Sequence, residues 1–224
     1  MELRQPALSG FKRRGRPPVK RKATIPHRPR PVIGKTFAAH VTLKLLPRVD
    51  TLRTRELYSR IRGAFVAGCD RFGFRLLQYS VQRDHIHLVA EAEGSAALSK
   101  GLQGLTIRIA KGLNALLGTH GQVFKERYHL HVLRNPLEVN RTLRYVLNNA
   151  AHHSQRRGRP ARAGDVDPFS SAGYFDGWAP GWWERRVRGA RGEGAAPVAS
   201  AQTWLLRAGW RLRGLFVPGD TSMA

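Results

Sequence analysis

The chain is poor in acidic residues, in cysteine and in long apolar runs, and each shortage excludes something. Only 15 of its 224 residues are Asp or Glu, against 39 Lys and Arg, which leaves a formal charge of +24 at pH 7. A charge that large says nothing about fold but selects polyanionic partners, because every Lys or Arg that neutralises a phosphate releases counterions. Nucleic acid is the partner expected. An anionic membrane is disfavoured, since no amphipathic helix with a broad aromatic face is present. The single cysteine, Cys69, rules out an intrachain disulfide and suits a reducing compartment. No apolar run approaches the ~18 residues needed to span a bilayer. The basic N-terminus leads into no apolar segment of secretory type, so a soluble intracellular protein is expected. Hydrophobic residues make up 42% of the chain, enough for a real core.

Residues 1–34 form a basic, proline-rich arm that includes Arg13, Arg14 and Arg16 and has too few apolar side chains to pack. Such an arm is expected to stay disordered until a partner orders it. From residue 35 the pattern turns periodic. Val41, Leu43 and Leu45 alternate with His40, Thr42 and Lys44, as in a half-buried strand. Helical spacing follows over 52–72, with Leu57, Ile61, Phe65, Cys69 and Phe72 on one stripe. Leu77, Tyr79 and Val81 then alternate with Gln78, Ser80 and Gln82, and after a turn at Arg83-Asp84 residues 85–92 complete a hairpin. Ser95 is placed to cap a helix striped by Leu98, Leu102, Leu105, Ile109, Leu113 and Leu116, which Gly118 to Gly121 end. A fourth strand is read over 122–133. A last helix begins at Asn135-Pro136-Leu137-Glu138, a cap with proline at the first helical position and glutamate at the third, and runs to about His153.

The order βαββαβα describes an α+β fold, the ferredoxin-like split motif with one added helix. The third strand should be central, beside the first, and the fourth at an edge. Two helices should cover one sheet face, leaving the face of His40, Thr42, Lys44, His85 and His87 for a ligand and the last helix. The catalytic domain is thus expected over 35–154. Residues 155–224 follow as an Arg/Gly-rich linker and a tail that holds all five tryptophans and is expected to dock on the core.

His85-Ile86-His87 is the first part of a chemical constellation. Strand residues two apart share a face, so both imidazoles converge and could hold one divalent cation, although two surface histidines on a strand are the commoner case. The second part is Tyr145-Val146-Leu147-Asn148-Asn149, where Tyr145 and Asn149 stand one helical turn apart, opposite Leu143, Val146 and Leu147. A carboxamide oxygen is a hard neutral ligand and a phenol is a nucleophile. An amphipathic helix whose Tyr merely packs is the plain alternative.

Together, in this order, the two parts resemble the HUH nucleases, and among them the single-tyrosine transposases, with the REP-associated tyrosine transposases and those of small insertion sequences nearest. The resemblance spans about residues 35–153. It implies Tyr145 as nucleophile and His85, His87 and Asn149 as ligands of Mg²⁺ or Mn²⁺. It also implies cleavage of single-stranded DNA through a 5′-phosphotyrosine, with a bacterial, nucleoid-associated location. Where the family often has Asn before the first His, this chain has Asp84, which could orient a ligand imidazole.

Other residues compete. His129-Leu130-His131 is a second such pair on the edge strand, His153 a rival third ligand, and Tyr128 a rival nucleophile whose phase reads as core. DNA contacts are expected from Arg13, Arg14, Arg16, His40, Lys44, Lys125, Arg127 and Arg141. Arg-Arg-Gly-Arg-Pro occurs at residues 13–17 and again at 156–160, and its Arg-Gly-Arg-Pro part is a pattern suited to AT-rich minor grooves. A homodimer is possible on sequence alone. A DNA-binding regulator derived from a transposase stays open as the non-catalytic alternative. An RNA-binding module of the same topology lacks the stacking aromatics it would need.

Overall fold

The computed structural model describes residues 32–220 except 126, 157, 159–163, 165 and 183–193. Arg13, Arg14 and Arg16 therefore lie outside the described residues, as do Arg157, Arg159 and Pro160. The body runs β1 (Thr36–Lys44), α1 (Arg55–Gly68), β2 (Asp70–Arg71), β3 (Phe74–Val81), β4 (His85–Glu93), α2 (Ser95–Leu117), β5 (His129–Leu133), α3 (Pro136–Leu147), α4 (Asn149–Arg156) and α5 (Trp204–Arg207). Its sheet has the order β2-β3-β4-β1-β5, with every pair antiparallel. The strand bearing His85 and His87 thus lies beside the first strand in the middle of the sheet, and the last strand forms an edge. The expected βαββαβα order holds, with the short β2 as an addition.

Each sheet face carries its own core. On one side Val41, Leu43, Ile86, Leu88 and Ala90 meet the apolar stripes of α1 and α2, including Leu57, Ile61, Phe65, Leu98, Leu105 and Ile109. Gly101 permits the closest approach, because a Cβ there would lie 2.2 Å from the Phe74 ring. On the other side Ala38, Leu77, Val89 and Leu133 meet Val139, Leu143, Val146 and Leu147 of α3. That second core is finished by Phe175, Trp178, Leu206, Trp210 and Phe216, so the described tail residues pack over α3. The tail also lines the flank of β3. Val81 N–H donates to Phe169 O at 2.9 Å, Tyr79 N–H to Ser171 Oγ at 2.7 Å, and Ala199 N–H to Leu76 O at 2.7 Å.

Several local expectations are corrected. Thr54 caps α1, its side chain accepting from Leu57 N–H. Gly94, not Ser95, caps α2, because Ser95 Oγ is committed to Ile33 N–H at 2.8 Å. Leu116 lies off the buried stripe of α2, on its exposed side. A register shift between Leu76 and Gln78 turns Leu77 to the second core, while Leu76, Tyr79 and Val81 face the first. A bulge of that kind inserts one residue and inverts the alternation before it. The fourth strand shortens to five residues, with Phe124 making only an isolated bridge to Leu45. The last helix begins as read, Asn135 Oδ1 accepting from Glu138 N–H at 2.9 Å, but it does not run unbroken to His153. It stops at Asn148, whose φ of −102° and ψ of 11° leave the helical range, and α4 begins at the next residue.

Candidate active site

β4 delivers two imidazoles to the α3 face of the sheet. The strand alternation that buries Ile86 and Leu88 beneath α1 and α2 turns His85 and His87 the other way. Their Nε2 atoms stand 3.1 Å apart, with ring planes 85° from parallel. α3 crosses this face on its apolar stripe and presents Tyr145 close to its C-terminal end. The Tyr145 hydroxyl lies 3.4 Å from His87 Nε2 in the same chain, and the residue keeps 37% of its surface exposed.

Each ring is held from behind. His85 Nδ1 lies 2.8 Å from Asp84 Oδ1, so Nδ1 donates to the carboxylate, and in the neutral ring Nε2 is then the lone-pair nitrogen. That bond holds the Asp84 carboxyl below its usual range. β1 supports the other ring. Thr42 is paired directly with His87, and Thr42 Oγ1 and His40 Nε2 stand 3.2 and 3.1 Å from His87 Nδ1. Burial, at 5% exposure, pushes His87 down to about 3, with His40, His85 and His153 adding repulsion. His40 falls to about 4, through burial first and then His131. Both rings are therefore neutral at physiological pH, the form in which an imidazole donates a lone pair.

Asn149 opens α4, one residue beyond the break, and is 1% exposed. Its Oδ1 is a buried side-chain atom with no hydrogen-bond partner, and it stands alone in that respect among the described residues. A buried acceptor left unsatisfied costs about 1–3 kcal/mol, so such an atom calls for a ligand. The Nε2 atoms of His85 and His87 also face one another at 3.1 Å, and each can offer a lone pair there when its ring proton sits on Nδ1. Donors on adjacent corners of an octahedron with arms of roughly 2.1 Å stand about 3 Å apart, which suits the 3.1 Å between the histidines. The donor set of two imidazoles and a carboxamide fits a borderline or hard divalent cation. No group of three or more His, Cys, Asp or Glu side chains suited to a metal gathers among the described residues, so a site here depends on the carboxamide.

A cleft of about 440 Å³ opens beside His85, lined by Asp50, Gln82, Arg83, Ala150 and His153 among others. The charges in its wall are spent internally. Arg53 makes a two-pronged pair with Asp167 at 2.7 and 3.0 Å, and Arg83 pairs with Asp50.

The structure sorts the competing residues. Tyr128 approaches Ser99 of α2, 3.4 Å between hydroxyls, and packs against the first core, away from the histidine pair. His129 and His131 are exposed on the edge strand, and His131 lies 3.8 Å from Glu138. His153 remains near the site, its ring 6.2 Å from that of His85, and His152 lies 6.3 Å from Tyr145. Lys44, Lys125, Arg127 and Arg141 are exposed. His40, expected among the DNA contacts, is instead half-buried against His87. The position of His40 could not come from strand parity alone, because it depends on which strand lies beside β4 and in what register.

Comparison with known proteins gives three results. The family described as "Transposase IS200 like" matches residues 35–149, just over half of the chain. Among solved structures, a REP-associated tyrosine transposase bound to a REP hairpin aligns with a TM-score of 0.54 at 17% identity, covering 80% of this chain and all of that one. At that identity the likeness is one of fold. A candidate transposase of Deinococcus radiodurans R1 aligns at 13% identity over 60% of this chain and 98% of its own, with a TM-score of only 0.35. No curated protein matches the sequence.

Proposed function

The chain belongs to the IS200-like transposase family, and from that premise we propose that it nicks and rejoins single-stranded DNA through Tyr145. The observation that carries the reading is the convergence, within one chain, of the Tyr145 hydroxyl and the Nε2 atoms of His85 and His87. The orphaned Asn149 Oδ1 supports it.

In this reading His85, His87 and Asn149 hold Mg²⁺ or Mn²⁺. The cation, when bound, would draw charge from the non-bridging oxygens of the scissile phosphate. Asp84, Thr42 and His40 keep the two rings turned so that their Nε2 atoms stay free. Tyr145 supplies the nucleophilic oxygen. Its bond to phosphorus forms as the bond from phosphorus to the 3′ oxygen breaks, leaving a 5′-phosphotyrosine and a 3′-hydroxyl. Attack by a 3′-hydroxyl on that linkage reverses the step, so joining needs no nucleotide cofactor. Hairpin-bearing single strands are the substrate class, as suggested by the hairpin held by the structurally similar transposase. The basic arm would add contacts to AT-rich minor grooves. The domain over 35–154 carries the chemistry, and because Tyr145 faces its own histidine pair, one copy has every part.

The test is a covalent adduct on a denaturing gel with a hairpin-bearing oligonucleotide. Adduct is expected with Mn²⁺ or Mg²⁺, lost in EDTA and lost in Tyr145→Phe, with hairpin affinity in that variant within about twofold of the parent. An adduct that survives Tyr145→Phe would show that the nucleophile is another residue. Sequence-specific binding without cleavage under any divalent cation would favour the regulator reading.

A further inference from the structure

α3 and the residue that ends it carry polar side chains at intervals of four, Asn140, Arg144 and Asn148, which therefore form one row along the helix. Both asparagines are buried, and the whole row is taken up by one segment, residues 210–220. Asn140 Nδ2 donates to Trp210 O at 3.1 Å and to Gly214 O at 3.5 Å. Arg144 donates to Asn140 Oδ1 at 3.1 Å, to Leu215 O at 3.3 Å and to Asp220 Oδ2 at 3.4 Å, with its guanidinium 4.5 Å above the centre of the Phe216 ring. Asn148 Nδ2 donates to Asp220 O at 3.0 Å and Val217 O at 3.5 Å, while its Oδ1 accepts from Gly219 N–H at 3.0 Å.

Apolar packing alone would have docked the tail. Trp178, Trp210 and Phe216 already bury the stripe of Val139, Leu143, Val146 and Leu147. Such contacts are non-directional, so they tolerate rotation of a helix about its axis or a slide along it. Hydrogen bonds to fixed carbonyls do not tolerate either, because they weaken steeply with distance and angle. The last rung stands at the most sensitive place. Asn148 is the residue at which α3 stops and α4 starts, with Tyr145 three residues before it and Asn149 immediately after.

We propose that Asn140, Arg144 and Asn148 are positioning residues, through which segment 210–220 sets the Tyr145 hydroxyl and the Asn149 carboxamide against the His85–His87 pair. The inference rests on Tyr145 and Asn149 acting as described above. The three side chains touch no substrate in this scheme; they fix where the reacting groups stand.

The test uses the full chain with Asn148→Ala, Arg144→Ala and Arg144→Lys, a hairpin-bearing oligonucleotide and Mn²⁺. Misplacing a reacting group by about 1 Å can cost on the order of 100-fold. The two alanine variants should therefore lose roughly 10- to 100-fold in kcat for adduct formation while KM stays within about twofold. Arg144→Lys, which keeps the charge and a single donor nitrogen, should recover part of the loss. A second readout does not depend on cleavage. With 3-fluorotyrosine incorporated, the ¹⁹F resonance of residue 145, assigned from Tyr145→Phe, should shift or broaden in both alanine variants at temperatures where they remain folded. Unchanged kcat and an unchanged resonance would overturn the proposal, as would a faster enzyme, which would make the segment a brake. Failure of the parent protein to form any adduct would instead count against the catalytic reading, and the fluorine line would still decide whether the row holds Tyr145 in place.

Discussion

His40 has the most specific consequence among single residues. It occupies the neighbouring strand, and its Nε2 meets the buried side of the His87 ring at 3.1 Å. Removing a group that orients a ligand imidazole typically weakens metal binding by about 10- to 100-fold. His40→Ala should show that loss in a Mn²⁺ titration, and Thr42→Val, which removes the second contact on the same nitrogen, should show a smaller one. The pair also sets a pH dependence. Folded-state values of about 3 for His87 and about 4 for His40 lie below the ordinary histidine value of 6.5. The unfolded chain therefore binds more protons between those limits, and stability rises with pH across the window. In EDTA the melting temperature should be flat above about pH 7 and fall steadily as pH drops from 6.5 towards 4. A melting temperature independent of pH in that interval would contradict the buried, neutral state of both rings. Strand parity made the His85–His87 pair legible in the sequence, whereas the four-residue spacing of Tyr145 and Asn149 assumed one unbroken helix, and the two residues stand on either side of the break at Asn148. The support from His40 was legible only in part: its strand and its sheet face could be read, but the register that sets it against His87 is encoded by no local pattern.

The elements differ in how clearly the chain announces them. α3 was readable at its start, where Asn135, Pro136 and Glu138 carry the capping chemistry, and unreadable at its end. The break at Asn148 has no glycine or proline to signal it; the carboxamide at the break is bonded to carbonyls some 70 residues further on. β3 hid its bulge for a similar reason, because Leu76-Leu77 offers two apolar side chains and both are buried, one in each core. Glu91 of β4 shows the same dependence on distant partners. Fully buried, it pairs with Arg75 and accepts from the backbone N–H groups of Gln202 and Thr203 at 2.9 and 2.7 Å. Glu91→Ala strips a partner from a buried guanidinium and from two peptide groups at once, and should destabilise the protein by about 3 kcal/mol in urea unfolding. Glu91→Gln, which keeps the acceptor oxygen, should cost less.

At the scale of the molecule, charge and tail dominate. A surplus of 24 positive charges makes association with DNA steeply sensitive to salt. If about six phosphates of a duplex stem are contacted, affinity for a hairpin should fall on the order of 10³-fold between 50 and 200 mM salt. A nearly flat dependence would mean that the surplus does not meet the nucleic acid. The tail, with its five tryptophans, was expected to dock, but its partners were not evident from composition. Trp210 is fully buried among Phe175, Phe216 and the apolar side of α3. Trp210→Ala should cost about 3–5 kcal/mol and loosen the helix that bears Tyr145.

The seal that Phe169, Ser171 and Ala199 place along β3 also bears on self-association. A sheet grows into a filament only when both of its flanks offer unpaired peptide groups. Here the chain's own later residues cover β3 beyond the two-residue β2 that ends the sheet on that side, and β5 carries no second strand among the described residues. Two copies could join their sheets by aligning these strands across a twofold axis, after which neither has a ready template left. Growth by this route ends at a pair.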